Sequence, residues 1–156
     1  MSAIDDLIVR VEELEPFALP QQGEPRYVSR CVFAVDGVHS ADLTMNHGTV
    51  KAGKALSGGS HPAGCNEGYY VLRGRALLTL GGDPDTGAGG KTYDIEPGTA
   101  IYIPGGTFHR LDNPYDEDFE LLTIWPQTPP PGANGVYDQR QKAWGTDFRK
   151  KAPTAE

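Results

Sequence analysis

Two imidazoles and one carboxylate are the residues of this chain whose types and spacing could bind a metal ion. His61 and Glu67 lie in the glycine-rich segment 53–74, and His109 lies in segment 98–113, directly after a Pro-Gly-Gly turn. Each segment has the pattern strand, turn or loop, strand, and such turns hold the following side chain firmly. Two histidines and one carboxylate suffice for a catalytic divalent ion, because further coordination positions stay available for water or substrate. The sequence therefore predicts a metal centre at these three residues.

The two segments resemble the paired motifs of the cupin superfamily. The second segment, Gly98 to Asn113, matches the family pattern at every defining position, and the first matches it at Gly53, Glu67 and Gly74. The resemblance implies a small single-domain cupin of bacterial type: an all-β double-stranded β-helix, or jelly-roll barrel, with ligands that point into its mouth. It also implies one divalent metal ion, with iron, zinc, nickel and manganese all open.

One histidine of the family's usual three is missing from the first segment. If the family spacing is counted forward from Gly53, Gly59 stands at the first histidine position and His61 at the second. If it is counted back from Glu67, His61 stands at the first position and Ala63 at the second. His47, on the preceding strand, could supply the missing ligand. Cys65 could do so if its loop folds inward, because a thiolate binds zinc well.

The candidate catalytic residues are Glu67 and Tyr69. Residues of equal parity on a strand share a face, so a tyrosine hydroxyl in phase with Glu67 is a reasonable proton donor or substrate contact. The resemblance implies an enzyme that acts on a small oxygenated organic molecule, as a dioxygenase or as a lyase, isomerase or cyclase through a metal-bound enolate or carbonyl. The alternative is a degenerate cupin that binds or senses a small ligand without catalysis.

Many short strands must position these residues. The chain has 20 glycines and 13 prolines among 156 residues, spread between short apolar segments, and this is typical of an all-β fold. Asp36-Gly37 predicts a two-residue hairpin turn, and Gly74 predicts a bend between two strands. The predicted strands span 27–35, 38–47, 69–72, 75–80, 91–95, 100–103, 107–111 and 119–125.

The whole chain, 1–156, is predicted to form a single domain with a core at about 27–126. Residues 1–26 form an N-terminal arm, of which 4–17 are a short helix or irregular segment that leads into a strand. Residues 127–156 form a C-terminal arm. This arm is expected to pack through the aromatic residues Tyr137, Trp144 and Phe148.

Charge and cysteine content limit the partners and the compartment. The net charge of −7 argues against nucleic acids and membrane surfaces, since both attract basic proteins. Two cysteines and no signal-peptide pattern predict a cytoplasmic location. Open-edged small barrels often pair with a second copy, so a homodimer is expected, with the segment before Val35 and the C-terminal arm as its surfaces. Apart from a second copy of the chain, the expected partner is a small-molecule substrate.

Overall fold

Two antiparallel β-sheets pack face to face in the computed structural model, which describes residues 8–18, 23–33, 43–125 and 135–144. A 3-10 turn spans Val11–Glu13, and the α-helix α1 spans Gly135–Trp144. This arrangement confirms the predicted jelly-roll class. The strands are β1 (Phe17–Ala18), β2 (Tyr27–Phe33), β3 (Thr44–Val50), β4 (Lys54–Ala55), β5 (Glu67–Arg73), β6 (Ala76–Leu80), β7 (Lys91–Ile95), β8 (Ala100–Ile103), β9 (His109–Asn113) and β10 (Phe119–Trp125).

The sheets have six strands in the order β1-β2-β3-β10-β5-β8 and four in the order β4-β9-β6-β7. Every second side chain of β10 is buried, because alternate residues of a strand face the other sheet. The apolar core draws on both sheets: Val50, Tyr69, Val71, Ile103, Phe119 and Leu121 from the larger one, and Ala76, Leu78, Ile95 and Leu111 from the smaller one. At one end of the barrel the buried inward positions become polar, with Thr44, Asn46, Glu67 and Thr123.

The turn residues explain why most strand predictions agree with the structure. The predicted bounds of β7, β8 and β10 are those observed, and β5, β6 and β9 differ from prediction by one or two residues at their ends. Gly74 has φ +73°, and a Cβ there would lie 2.4 Å from the Asp118 carbonyl oxygen, so this bend requires glycine. The 3-10 turn followed by β1 fits the predicted N-terminal arm.

The pairing of β2 with β3 confirms that the first two predicted strands form a hairpin, but its register differs from the prediction. Phe33 lies opposite Met45, whereas a two-residue turn at Asp36-Gly37 would place it opposite Ser40. The predicted register is therefore wrong by five positions. Register follows from which residues reach the core, and a local turn preference does not determine it. Residues 34–42, which include the turn, lie outside the described residues.

The C-terminal segment, predicted only as an arm, contains helix α1. Arg140 on this helix is 1% exposed, and its guanidinium donates hydrogen bonds to Asn46 Oδ1 at 2.8 Å and to Ser29 Oγ at 2.5 Å. The Arg140 side chain therefore ties helix α1 to β2 and β3. The predicted anchoring side chains of Tyr137, Trp144 and Phe148 lie outside the described part of the chain. No helix among the described residues is long and apolar enough to cross a membrane.

Candidate metal centre

The structure brings His61, Glu67 and His109 together at the polar end of the barrel. Glu67 begins β5 and His109 begins β9, while His61 lies on the loop between β4 and β5. His61 Nε2 lies 3.1 Å and His109 Nε2 lies 3.4 Å from Glu67 Oε2, and one ligand atom from each residue falls within 4.8 Å of the others. Glu67 is 4% and His109 8% exposed. Two strands and one loop therefore place three potential ligands around one point.

Backbone hydrogen bonds tie the loop that carries His61 to the strand that carries His109. Gly59 and His109 form an isolated antiparallel bridge, with N–O distances of 2.9 and 3.2 Å. The His61 carbonyl oxygen accepts a hydrogen bond from Gly106 N at 2.7 Å, in the turn that precedes His109. The glycine-rich loop is thus held in place by the second sequence motif, and the two motifs form one site.

His109 has the tautomer that a metal ligand needs. Its Nδ1 donates a hydrogen bond to the Thr107 carbonyl oxygen at 3.0 Å, because a carbonyl oxygen can only accept. Nε2 therefore carries the lone pair in the neutral ring and faces Glu67. Burial lowers the pKa of His109, but the hydrogen bond and charge of Glu67 and the Thr107 contact outweigh it, so the pKa is raised overall.

These residues fit a divalent metal ion. Two imidazole nitrogens and a carboxylate oxygen are donors that zinc, iron, nickel and manganese accept. A buried carboxylate against two imidazoles is stabilised by positive charge nearby, which a divalent ion would supply. His61 Nε2, His109 Nε2 and a Glu67 oxygen would be the ligands.

Tyr69 lies beside this cluster, as its parity with Glu67 predicts. Its ring centroid is 6.1 Å from that of His109, and Glu67 lies close enough to act on its hydroxyl. Burial is the main reason why the pKa of Tyr69 is raised well above 10, and the negative charge of Glu67 adds to it. Tyr69 therefore holds its proton at any physiological pH.

A second tyrosine, Tyr27, packs half-buried against the core and was not among the predicted site residues. Its phenol fills the space above Gly48, where a Cβ would lie 2.2 Å from the phenol oxygen. Burial, followed by the charge of Glu67, raises the pKa of Tyr27 to about 12, although Arg140 and a hydrogen bond with Ser29 act in the opposite direction. The sequence could have indicated this position, because Tyr27 has the same parity as buried residues of β2 and so shares their inward face.

His47 does not reach the cluster. It lies opposite Leu122 on β10 and therefore faces away from the core, to which the neighbouring Leu121 belongs. Its Nε2 pairs with Glu120 Oε2 at 3.1 Å, in a groove of about 600 Å³ between the outer face of the sheet and the N-terminal segment around Val11. The suggested role of His47 as a substitute ligand therefore does not fit this arrangement.

Cys65, the other suggested substitute ligand, is buried but lies outside the cluster. Among the described residues, the group of potential ligand atoms within 4.8 Å of one another consists of His61, Glu67 and His109. Cys65 N instead donates a hydrogen bond to the Pro62 carbonyl oxygen in the same loop. The cluster therefore offers three potential protein ligands in the described part of the chain.

Known proteins similar to this chain were found by sequence and by structure. A family model for the cupin domain matches residues 41–125. The chain is 37% identical over 78 residues to the beta-conglycinin beta subunit 1 of Glycine max, and 38% identical over 58 residues to the glucose-6-phosphate isomerase of Thermococcus onnurineus (strain NA1). These matches cover 50% and 37% of this chain but only 16% and 29% of those relatives.

Among solved structures, the polyketide cyclase RemF from Streptomyces resistomycificus is similar over nearly its full length. The TM-score is 0.63, and the match covers 92% of this chain and 98% of RemF at 16% sequence identity. At this identity the similarity shows a shared fold and nothing about the substrate.

Proposed function

The chain belongs to the cupin domain family, and from this premise we propose that it is a metal-dependent enzyme acting on a small oxygenated organic molecule. His61, Glu67 and His109 would hold one divalent ion. The observation that carries the proposal is the convergence of their three ligand atoms within 4.8 Å, at a site where Glu67 and His109 are buried. Three protein ligands leave coordination positions for substrate, as in catalytic metal sites.

Each residue of the site has a distinct task in this proposal. When bound, the metal ion supplies Lewis-acid polarisation of a substrate oxygen. His109 is oriented by the Thr107 carbonyl, and the hydroxyl of Tyr69 lies beside Glu67. Tyr69 holds a proton at its hydroxyl oxygen and can pass it to a substrate atom that gains negative charge. The rings of His109 and Trp125 pack against the His61 imidazole and restrict its orientation.

The type of reaction depends on what happens to the substrate after its oxygen is polarised. Dioxygenase chemistry and lyase, isomerase or cyclase chemistry all begin with an enol or carbonyl compound whose oxygen is polarised. Only the first consumes O₂. The proposal therefore covers both, and oxygen uptake separates them.

The test combines metal analysis with a turnover panel. Metal-free protein is loaded separately with zinc, iron, nickel or manganese, and bound metal is quantified for the wild type and for H109A, with H47A as the matched histidine control. Each loaded form is then assayed with enolisable diketones, 2-oxo acids and phenols, by absorbance and by an oxygen electrode. We expect one metal per chain and turnover that H109A abolishes and H47A preserves. Metal binding without turnover would favour the alternative, a ligand-binding protein; turnover in metal-free protein would contradict the proposal.

We also propose that the protein is a cytoplasmic homodimer. Tyr70, Leu72 and Tyr102 on the outer face of β5 and β8 are 43%, 40% and 67% exposed, and apolar side chains grouped in this way are typical of contact surfaces. The chain has two cysteines, too few for a disulfide framework, which suits a reducing compartment. Light scattering should give twice the chain mass of 16.8 kDa, and a monomer mass at all concentrations would contradict the dimer.

A further inference from the structure

Two buried polar groups next to the metal centre have no hydrogen-bond partner among the described residues. They are the indole Nε1–H of Trp125 and the hydroxyl of Thr44. Trp125 is 1% exposed and Thr44 is fully buried. The two residues lie directly opposite each other on β10 and β3.

Unpartnered buried donors are rare in folded proteins because each costs about 1–3 kcal/mol of lost solvation. Two of them on facing residues indicate that a partner comes from outside the described residues, and a bound ligand can supply it. An indole N–H can only donate, so its partner must be an acceptor atom. A hydroxyl can donate or accept.

The position of Trp125 identifies where that acceptor lies. Ile124 is opposite Gly68, so the next residues, Trp125 and Glu67, are neighbours on adjacent strands, about 5 Å apart. The Trp125 ring also lies 4.5 Å from the His61 ring, with 67° between their planes. Trp125 therefore touches one potential ligand and adjoins another.

We propose that the Trp125 N–H donates a hydrogen bond to a substrate oxygen adjacent to the atom bound at the metal. This inference rests on the proposed function and narrows its substrate class to molecules with two neighbouring oxygen functions, such as a carboxylate or an enolised dicarbonyl. One oxygen occupies a position that His61, Glu67 and His109 leave open, and the other accepts from the indole. The hydroxyl of Thr44, opposite Trp125 on β3, is a second group with which this oxygen can form a hydrogen bond.

An indole N–H suits this role because it is neutral and fixed. Its hydrogen bond strengthens as negative charge develops on the acceptor, and the rigid ring needs no reorganisation at that moment. Trp125 is thus a binding and catalytic residue rather than only a wall of the barrel, and Tyr69 remains the proton donor.

The test uses zinc-loaded protein and two probes that both bind a zinc ion. Acetate offers a second oxygen as an acceptor, whereas imidazole presents only an N–H at its far side. The chain has two tryptophans, so W144F leaves the Trp125 indole as the single indole N–H resonance in a nitrogen-15 NMR spectrum. We expect acetate to shift this N–H proton resonance downfield. Imidazole should not cause such a downfield shift. W125F, which keeps an aromatic ring against His61, should bind acetate at least about tenfold more weakly and imidazole as the wild type does.

The outcomes separate this inference from the proposed function. Zinc uptake with an unmoved resonance at acetate saturation, or with equal acetate affinity in folded W125F, overturns the role of Trp125 alone. A chain that takes up no zinc overturns both proposals. If W125F does not fold, the resonance of the W144F protein decides the question by itself.

Discussion

Replacing His47, His61 and His109 one at a time should distinguish the histidines that bind the metal from one that does not. We expect H109A to lose the most metal affinity, H61A to lose less, and H47A to keep the affinity of the wild type. The order follows from the structure: His109 is fixed by a strand and by the Thr107 carbonyl at 3.0 Å, His61 lies on a loop, and His47 faces the opposite side of the sheet against Glu120.

The magnitude can be estimated per ligand. Four-ligand zinc sites bind with about 10–16 kcal/mol, or about 2.5–4 kcal/mol for each ligand, so H61A should weaken binding about 100- to 1,000-fold. Loss of an oriented ligand costs about tenfold more, because the hydrogen bond that fixes the ring is lost with it. H109A should therefore exceed H61A by about that factor, and H47A should stay within about twofold.

The assay is competition for zinc against a chromophoric chelator of known affinity, at pH 8 and with circular dichroism on each metal-free variant to establish folding. H109Q serves as a second variant of similar size if H109A leaves an unstable cavity. Equal losses in H47A and H61A would refute the assignment of His47 to the outer face. Wild-type affinity in both H61A and H109A would refute the metal centre itself.

Three further outcomes follow from the same contacts. Tyr27 keeps its proton to about pH 12 in the native state but loses it near 10 when unfolded, so it should account for a loss of about 2–3 kcal/mol of stability in metal-free protein between pH 10 and 12; urea unfolding should show a loss smaller by this amount in Y27F, in which the raised pKa of Tyr69 still contributes as it does in the wild type. G48A places a Cβ 2.2 Å from the Tyr27 oxygen and should destabilise by about 1–3 kcal/mol, less so in a Y27F background; equal costs in both backgrounds would contradict the contact. Zinc should leave as pH falls through the histidine range, because protons compete for the ligands, and the raised pKa of His109 places the onset above 6.5; full retention at pH 5 in the chelator assay would contradict this.

Turn chemistry made most of the fold predictable, and its limits explain what was missed. β7, β8 and β10 lie between glycine or proline turns that fix both ends, so their bounds follow from local residues. Helix α1 has few apolar residues, and it is held by a buried arginine, Arg140, which composition rules place at the surface. The hairpin register depends on contacts distant in sequence, and a local Asp-Gly signal cannot supply them.

The orientation of His47 illustrates a second limit. Alternation predicts which face of a strand is inward only when the other face is exposed. In β3 all residues from Asn46 to Val50 are buried, because the outer face lies beneath the N-terminal segment. Parity with neighbouring apolar residues therefore carried no information about the direction of His47, whereas the register with β10 determines it. His109 was easier to place, since a complete motif fixes the turn before it.

Trp125 shows why the chemistry of a site extends beyond what a sequence pattern can reveal. Its position in an alternating strand indicates a core residue, and 1% exposure agrees with that interpretation. The unpartnered N–H becomes visible only when each buried donor is matched with an acceptor in three dimensions. Without a ligand, this N–H and the Thr44 hydroxyl lower the stability of the inward end of β3 and β10, because both are buried without a hydrogen-bond partner among the described residues. If these positions served stability alone, apolar side chains would be expected there. The two unpaired polar groups are therefore best explained by a bound oxygen compound that forms hydrogen bonds with them.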